Sequence, residues 1–319
     1  MTSRELVIKT MKGEACHRTP VYGWVRAELE KPITERFGSV ENFEDHYRFD
    51  LAHIFGGPWD FGKCLEGLTG KITPEMLLDI PFDPIHREDY DGLIQSMEHH
   101  RQRDRFCYIQ TPGIFEALNG VFGIEDHLLY MALYPKELTE VYRKMADWNI
   151  ENGKNLLDLG VDGIHVSDDW GSQRSMLFSP KMFRDMILPC HKRMLDAFKK
   201  GDALVSLHSD GCIRHVLDDV AELGYDFIHP WQESAGMPYD LYLEKYQDKF
   251  GILGGVCIQT TLGFGNISRV ESEILRVFGL LKGKRWACCT THFVESTCSM
   301  DELCFAYDLI RHLADQRSN

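Results

Sequence analysis

The sequence predicts an α/β protein that folds as a single (β/α)8 barrel with an N-terminal helical extension. Eight short, uniformly apolar runs recur along its 319 residues, and stretches of helical pattern separate most of them. Such runs are typical of strands in a parallel sheet that is buried on both faces, and eight of them in one chain favour a closed barrel. No glycine-rich phosphate loop follows the first run, and low-complexity linkers are absent. We therefore expect one domain over residues 1–319.

The first half of the chain supplies three of the predicted strands. It opens with a helical lead-in over residues 1–18 and includes a charge-rich, irregular excursion over residues 60–104. Glycine and proline clusters, which punctuate regular structure, close the second and third strands. The predicted elements are, in order, a helix at 3–12, a strand at 21–26, a helix at 41–49, and strands at 51–55 and 106–110.

Helices and strands alternate through the second half. Ser179 and Pro180 are typical of a helix start, with an N-cap followed by proline at the first helical position. The predicted strands are 163–167, 203–208, 225–229, 250–256 and 286–290, and the predicted helices are 124–159, 180–199, 212–223, 238–246, 267–281 and 300–313.

Composition excludes several classes of protein. A hydrophobic content of 44% with 26% charged residues is ordinary for a globular protein with a sizeable core. The net charge of −14 argues against a nucleic-acid partner, and no apolar run approaches the ~20 residues that span a bilayer. The ten cysteines are scattered, without a Cys-x-x-Cys pair, and the N-terminus has no secretion signal. We expect buried, reduced thiols and a cytoplasmic location.

Polar residues gather where the predicted strands end, which is the catalytic face of a (β/α)8 barrel. Single residues of this kind are commonly structural, so the collective pattern is the stronger indication of an enzyme. The residues are Trp24, Arg26, His53, Gln110, Asp168, Asp169, His208, Asp210, His229, Gln232, Cys257, Gln259 and His292.

Three of these residues form a candidate metal site. His208 and Asp210 come two apart at the end of the fifth predicted strand, so that they point the same way, and His292 lies just beyond the eighth. Two imidazoles and a carboxylate suit Zn²⁺ or another divalent first-row metal. Alternatively, Asp210 orients His208 or caps the next helix, and His292 is a solvated loop residue. Cys257, Cys288 or Cys289 are further candidates to replace one ligand.

The other polar residues are candidates for acid–base and substrate-binding roles. Of Asp168 and Asp169, we expect one to face the cavity as an acid, a base or a hydrogen-bond acceptor, and the other to cap or pair locally. Asp210 and His229 are further catalytic candidates. Arg174 suits a carboxylate or phosphate group, although a surface salt bridge is the simpler interpretation. Glu116 fits a helix first turn equally well. The candidate substrate-binding residues are Trp24, Arg26, Glu116, Gln173, Arg174, Gln232 and Gln259.

Several motifs together resemble the uroporphyrinogen decarboxylase superfamily. They are Asp-Asp-Trp-Gly-Ser-Gln-Arg at 168–174, Ser-Pro-Lys-Met-Phe-Arg-Asp-Met-Ile-Leu-Pro at 179–189, His-Ser-Asp-Gly at 208–211, Gly-Gly-Val-Cys-Ile-Gln at 254–259 and Thr-His at 291–292. The resemblance covers nearly the whole chain and independently implies a (β/α)8 barrel.

The superfamily has two main branches, and the resemblance favours the second. The decarboxylase branch holds a tetrapyrrole with arginines, of which only Arg26 has a counterpart here. The cobamide-dependent methyltransferase branch has a zinc site with His-x-Cys-Gly after the fifth strand and a cysteine beyond the eighth. The matching positions in this chain are His208, Asp210 and His292.

The resemblance implies a metal-dependent methyltransferase, with zinc as the expected metal. It would move a methyl group between a small methylated substrate or thiol and a cobamide carried by a corrinoid protein. One alternative is decarboxylation of a tetrapyrrole or another carboxylic acid. A second alternative is a non-catalytic barrel that binds a corrinoid or another ligand. A small-molecule substrate, a corrinoid-protein partner and a homodimer are the expected associations.

Overall fold

A parallel sheet with surrounding helices forms the protein. The computed structural model describes residues 1–58, 65–66 and 70–316. Within this part of the chain, seven strands follow one another in the sheet in chain order. They are β1 (Leu51–Ile54), β2 (Phe106–Pro112), β3 (Gly163–Ser167), β4 (Leu204–His208), β5 (Phe227–His229), β6 (Gly251–Val256) and β7 (Trp286–Thr290). Every residue of β3, β4, β6 and β7 is buried, as the uniformly apolar runs predict.

The predicted helical pattern is also present, with differences in detail. The α-helices are α1 (Ser3–Met11), α2 (Glu30–Phe37), α3 (Val40–His46), α4 (Pro74–Asp79), α5 (Asp91–Arg101), α6 (Glu116–Phe122), α7 (Ile124–Leu133), α8 (Pro135–Asp158), α9 (Pro180–Met182), α10 (Leu188–Phe198), α11 (Leu217–Leu223), α12 (Tyr239–Lys245), α13 (Ile267–Leu281) and α14 (Met300–Asp315). Helices α4 and α5 fall within the predicted excursion at 60–104, part of which lies outside the described residues. None of the helices in the described ranges combines the length and apolarity needed to cross a bilayer.

Two prolines explain where the helices depart from prediction. The single helix expected at 124–159 is two helices, and Pro135 is the first residue of α8. Proline disfavours helical backbone at the residue before it, and Tyr134 accordingly has φ −127° and ψ 47°. The helix predicted from residue 180 begins with the Ser179 cap, then widens into a π-turn over Phe183–Ile187. Pro189 cannot donate the hydrogen bond that a regular helix needs there, which accounts for the wider turn.

The chain folds into two compact units that interleave along the sequence. The first comprises residues 1–52, 100–107 and 226–319, and the second comprises residues 53–99 and 108–225. In the first unit, β5, β6 and β7 pair in parallel. In the second unit, β2, β3 and β4 pair in parallel.

The strand predicted at 21–26 is reduced to a single parallel bridge between Val21 and Cys288. Two backbone hydrogen bonds surround this bridge, from the Tyr22 N–H to the Cys288 carbonyl (2.8 Å) and from the Cys288 N–H to the Pro20 carbonyl (2.9 Å). The ladder then stops, because the Trp24 N–H donates to the side-chain Oγ1 of Thr290 instead of a strand carbonyl. Seven of the eight predicted strands are therefore found in the described part of the chain.

The N-terminal extension is attached through the buried carboxylate of Asp50. That carboxylate forms a bidentate ion pair with Arg18 (2.5 and 2.6 Å), and it accepts hydrogen bonds from Ser3 Oγ and from the Val21 N–H. Helix α1 begins with a capping box between Thr2 and Glu5. The predicted helical lead-in is confirmed. Asp50 joins it to residues 21–26, which are called the Val21 segment below.

Candidate functional site

The ends of β3 and β4 in the second unit carry the densest group of polar side chains. Ser167 lies beside His208 in the strand register, and His165 lies beside Ser206. Because strand side chains alternate between faces, these four residues share one face of the sheet. Sequence patterning therefore delivers histidine and hydroxyl groups from neighbouring strands to one place.

Asp169, His208 and Asp210 form the centre of this group. Nε2 of His208 lies 3.7 Å from Oδ1 of Asp169 and 4.0 Å from Oδ1 of Asp210. The Asp210 N–H donates to Asp169 Oδ1 at 2.7 Å, which fixes the two acidic residues together. One potential ligand atom from each residue lies within 4.8 Å of the others. One imidazole and two carboxylates thus converge at a spacing that a metal ion can bridge.

Gly211 makes this arrangement possible. Its φ of +77° lies in the left-handed region, and a Cβ atom there would stand 2.6 Å from the Ser172 carbonyl oxygen. Only glycine adopts such a turn without strain while allowing so close an approach. The tight turn directly after Asp210 brings the loop after β4 against the loop after β3.

Asp168 is fully buried, and both of its carboxylate oxygens are hydrogen-bonded. Oδ1 accepts from the N–H groups of Phe115 (2.8 Å) and Glu116 (2.7 Å), at the start of α6. Oδ2 lies 2.7 Å from Nε2 of His191, whose Nδ1 lies 2.7 Å from the Tyr225 hydroxyl. Burial alone would raise the pKa of Asp168, but the hydrogen bond and charge of His191 outweigh it and lower that pKa. Asp168 caps α6, whereas Asp169 is part-exposed beside His208.

Two carboxyl groups of this site hold their protons unusually strongly. Burial, followed by the charge of Asp169, raises the pKa of Glu116 to about 7. Glu116 Oε2 accepts a hydrogen bond from Ser167 Oγ at 2.8 Å. Burial also raises the pKa of Asp210 to about 6; His208 opposes that shift and Asp169 adds to it. The site therefore concentrates carboxyl groups that a cation would favour in their ionised form.

A layer of aromatic and imidazole rings lies on β1, β2 and β3. His53 stacks on Tyr108 with a centroid distance of 4.7 Å and packs edge-on to His165 at 5.2 Å. Nδ1 of His165 lies 2.7 Å from Ser206 Oγ. Burial, together with the neighbouring His53 and His208, holds the pKa of His165 well below its usual range. His165 is thus a neutral imidazole.

A cavity of about 370 Å³ opens beside Glu116 in the second unit. Its volume falls within the range of small-molecule sites. The lining residues are Phe55, Gly56, Gly57, Pro58, Gln110, Thr111, Pro112, Glu116, Ala117, Gly120, Asn152 and Ser167. Glu116 and Ser167 thus belong both to the polar group at the strand ends and to the wall of this cavity.

A second set of predicted residues comes together in the first unit. The Trp24 ring stacks on His229 with a centroid distance of 4.3 Å and lies 5.8 Å from the ring of His292. Nε2 of His229 lies 3.1 Å from the carbonyl oxygen of Thr290.

An amide pair belongs to the same unit. The Gln232 amide donates to Gln259 Oε1 at 2.8 Å, and Ser234 Oγ donates to the same oxygen at 3.1 Å. Five of the predicted residues, Trp24, His229, Gln232, Gln259 and His292, therefore lie at or beyond the ends of β5, β6 and β7 or contact residues there.

The arginines predicted to bind substrate are placed differently. Arg26 forms ion pairs with Glu41 and with the buried Glu44, both at 3.1 Å. Arg174 is exposed, next to Gln173, at a tight turn closed by a 2.7 Å hydrogen bond from the Ser172 N–H to the Ser175 carbonyl. Arg26 is committed to acidic partners, and the turn holds Arg174 on the surface.

The cysteines behave as buried thiols. All nine that lie within the described residues are free, and burial raises the pKa of both Cys288 and Cys289 far above the usual range. Cys257 is half-buried, with its Sγ 3.6 Å from Ser234 Oγ. That one of these three cysteines replaces a metal ligand remains a prediction.

The predicted metal set of His208, Asp210 and His292 draws on both units and stays a prediction as a set. The second unit by itself supplies Asp169 as a third ligand atom beside His208 and Asp210. Sequence reasoning missed His165, although its position two residues before Ser167 in β3 signals the same face. It also missed His191 and Tyr225, for which no local pattern gives a signal.

Comparison with known proteins identifies the family. A family model described as uroporphyrinogen decarboxylase (URO-D) matches residues 117–281, more than half of the chain. The chain belongs to the uroporphyrinogen decarboxylase (URO-D) family. The predicted resemblance is confirmed, and membership places the chain in a family of enzymes. None of the curated proteins matches it.

Solved structures resemble this URO-D family member over nearly its whole length. A methyltransferase from Methanosarcina mazei has a TM-score of 0.70 at 12% identity, covering 98% of each chain. A GH113 β-1,4-mannanase has a TM-score of 0.51 at 10% identity, covering 94% of this chain and 99% of its own. A β-mannanase from the blue mussel Mytilus edulis has a TM-score of 0.50 at 11% identity, covering 94% and 93%. At such identities the likeness concerns the fold alone, and it confirms the predicted (β/α)8 class.

Proposed function

We propose that this URO-D family member is a metal-dependent methyltransferase. It would move a methyl group between a small methylated substrate or thiol and a cobamide carried by a corrinoid protein, with zinc as the expected metal. The observation that carries the proposal is the convergence of Asp169, His208 and Asp210 at the ends of β3 and β4. The fold shared with a methyltransferase from Methanosarcina mazei is consistent with it.

The donor set fits a divalent ion of the catalytic kind. Imidazole nitrogen and carboxylate oxygen are ordinary ligands of zinc, and three protein ligands leave a position for substrate. Burial, with the charge of Asp169 adding to it, raises the pKa of Asp210, and a bound cation would favour the ionised carboxylate instead. A bound divalent metal would supply Lewis-acid polarisation of a substrate heteroatom.

The residues around this cluster would position it. Asp168 holds the start of α6 by accepting two backbone hydrogen bonds, and its own N–H donates to the His208 carbonyl at 2.9 Å. The Ser209 hydroxyl accepts from the Trp170 N–H at 3.1 Å. These bonds tie the loops after β3 and β4 together, so the three candidate ligands would need little rearrangement to bind a metal.

Metal content tests the proposal directly. We expect purified protein to contain stoichiometric divalent metal by plasma mass spectrometry, and His208→Ala, Asp169→Asn and Asp210→Asn to lose most of it. His215→Ala and Asp202→Asn are matched controls, because both residues are exposed and neither belongs to the cluster. Unchanged metal content in all three site variants would overturn the ligand assignment. Methyl transfer from methylated donors to reduced cobalamin then tests the reaction.

Decarboxylation is the alternative that the family name raises. A substrate with many carboxylates needs available cations, but Arg26 is paired with Glu41 and Glu44, and Arg174 lies on an exposed turn. Incubation with uroporphyrinogen, followed by chromatography of the porphyrins, separates the two reactions. A less carboxylated product would favour the decarboxylase. Stable corrinoid binding without turnover of any methyl donor would favour a non-catalytic barrel.

A further inference from the structure

The 370 Å³ cavity of the second unit has a negatively charged lining. Among the described residues that line it there is no lysine, arginine or histidine, and Glu116 is the single acidic residue. Asp169, which follows β3, acts on Glu116 through its own negative charge. A carboxylate that no cation of the lining balances favours a positively charged ligand, whereas an anion would lose its hydration without gaining a partner.

Hydrogen-bond acceptors from β2 and β3 lie on the same side of the cavity as this carboxylate. Ser167 Oγ donates to Glu116 Oε2 at 2.8 Å, which holds the carboxylate at the end of β3. Gln110 lies beside His165 in the strand register, two residues before Ser167, so Gln110 and Ser167 share one face of the sheet. Both line the cavity, and each has an oxygen that can accept a hydrogen bond. The polar side therefore offers three acceptor groups to a ligand that carries N–H donors.

Phe55, which follows β1, gives the same cavity an aromatic face. Its ring lies 4.2 Å from the ring of His53, which stacks on Tyr108 of β2, yet 53% of Phe55 is exposed. Aromatic faces attract cations as well as apolar groups. Further apolar surface comes from Pro58, Pro112 and Ala117. The cavity thus combines a carboxylate with an open aromatic ring.

This lining suits an organic cation better than a bare metal ion. Ca²⁺ takes about six to eight oxygen ligands and Mg²⁺ needs an octahedral set, whereas the described lining supplies one carboxylate and a largely apolar remainder. A divalent metal at the neighbouring cluster would be balanced by its two aspartates, which leaves Glu116 as the charge to be compensated.

We propose that this cavity binds an organic ammonium ion, with its charged nitrogen against the Glu116 carboxylate and its apolar body against the ring of Phe55. N–H groups of such a ligand would donate to Glu116, Ser167 and Gln110, and those to the carboxylate would be charge-assisted. This inference goes beyond the proposed function, because it concerns the charge of the ligand and holds whether or not that ligand gives up a methyl group.

Matched probes test the charge selectivity of the cavity. Benzylammonium, benzyl alcohol and phenylacetate share a benzyl group and carry a positive, no and a negative charge. Titration calorimetry or saturation-transfer NMR on the full chain at pH 8 gives the affinities. We expect benzylammonium to bind at least about tenfold more tightly than benzyl alcohol, and phenylacetate to bind most weakly, since only the cation gains a charge-assisted hydrogen bond. Equal or tighter binding of either other probe, or no binding of benzylammonium, would overturn the inference.

Glu116→Gln locates the charged end of the ligand, because it keeps the size of the side chain and removes its charge. We expect the affinity for benzylammonium to fall about tenfold or more, while that for benzyl alcohol changes less than about twofold. Glu125→Gln is the matched control, since Glu125 is also in the first turn of a helix and does not line this cavity. Wild-type affinity for benzylammonium in folded Glu116→Gln, or an equal loss for both probes, would refute the role of the carboxylate.

Phe55→Leu tests the apolar end and does not depend on the folding of Glu116→Gln. It keeps an apolar side chain and removes the aromatic face, so benzylammonium should bind about two- to fivefold more weakly. Phe264→Leu is the control, because Phe264 is 56% exposed and does not line the cavity. Unchanged affinity in Phe55→Leu would overturn the placement of the ligand against this ring.

The outcomes separate this inference from the proposed function. A protein that selects benzylammonium in this cavity but neither holds metal at His208 nor transfers methyl groups overturns the proposed function alone. A protein that holds metal and transfers methyl groups, but does not distinguish the three probes, overturns this inference alone.

Discussion

The imidazole of His191 and the carboxylate of Asp168 lie 2.7 Å apart, and neither side chain has any exposure to solvent. This pair connects α10 to the loop after β3, and through Asp168 Oδ1 it holds the N-terminus of α6. Tyr225 completes the chain of hydrogen bonds on the other side of the imidazole. The position of Glu116 in the cavity wall thus depends on a histidine that has no contact with the cavity.

Removing that imidazole should strongly destabilise the protein. We expect His191→Leu to lower the free energy of unfolding by about 3–5 kcal/mol, because it leaves a buried carboxylate without its partner. Urea denaturation measures the loss. His215→Leu, at an exposed position, is the control and should change stability by less than about 0.5 kcal/mol. A loss below about 1 kcal/mol in His191→Leu would contradict the role assigned to the pair.

The contribution of Glu116 to the stability of metal-free protein should fall as the pH rises from about 4.5 to 7. The pKa of Glu116 rises from 4.5 in the unfolded chain to about 7 in the folded protein, so the folded state binds more protons in this window. The resulting penalty at pH 8 is on the order of 2–3 kcal/mol. Glu116→Gln should remove it and be more stable than wild type at pH 8, but not at pH 4. Glu125→Gln, an exposed first-turn residue of α7, should show no such difference, and identical pH profiles for all three proteins would disprove the shift.

Glu44 should be essential for the stability of the first unit. It is 2% exposed and pairs with both Arg26 and the buried Arg105. Glu44→Ala removes the buried carboxylate that the two guanidinium groups share and leaves them only the more exposed carboxylates of Glu41 and Asp45, so we expect a loss of about 2–3 kcal/mol in urea denaturation. Asp147→Ala removes the exposed Asp147–Arg193 pair instead and should cost less than about 1 kcal/mol. Similar losses in the two variants would contradict this distinction.

Two glycines near the cavity should respond to alanine with opposite signs. Gly120→Ala should raise stability by roughly 0.5–1 kcal/mol, because an added Cβ meets no atom and alanine favours a helix interior. Gly113→Ala should lower it by about 1–3 kcal/mol, since its Cβ would stand 2.4 Å from the Asp168 side chain and the Ser167 carbonyl. Thermal unfolding of the two variants side by side checks the prediction. The same sign for both would show that local space does not control these positions.

The fold was largely predictable from sequence because its strands are short apolar runs between helical patterns. β3 and β7 were predicted with their observed bounds, and α13 likewise. The strand at 21–26 was not formed as predicted, because its apolar composition does not reveal that Trp24 bonds to the Thr290 side chain. Pro135 indicates the break between α7 and α8, but the helical periodicity on both sides of it predicts one continuous helix.

The location of the site was predictable from the sequence, but the roles of its individual residues were less so. Strand-end patterning indicated Asp168, Asp169, His208 and Asp210 together, and the structure brings all four to the ends of β3 and β4. It did not reveal which aspartate is buried, because that depends on His191, 23 positions away in the chain. Hydrogen-bonded pairs that tertiary packing brings together cannot be predicted from local sequence patterns.

The hydrogen bonds between the Val21 segment and β7 have a consequence for biosynthesis. Trp24 and Thr290, which are joined by one of these bonds, stand 266 positions apart. At the ribosome's rate of roughly 5–20 residues per second, the N-terminal segment waits on the order of tens of seconds for its partner to emerge. During that interval its apolar side chains and backbone donors have no native partner in β7. This segment is therefore open to aggregation, and to capture by chaperones, until β7 has been made.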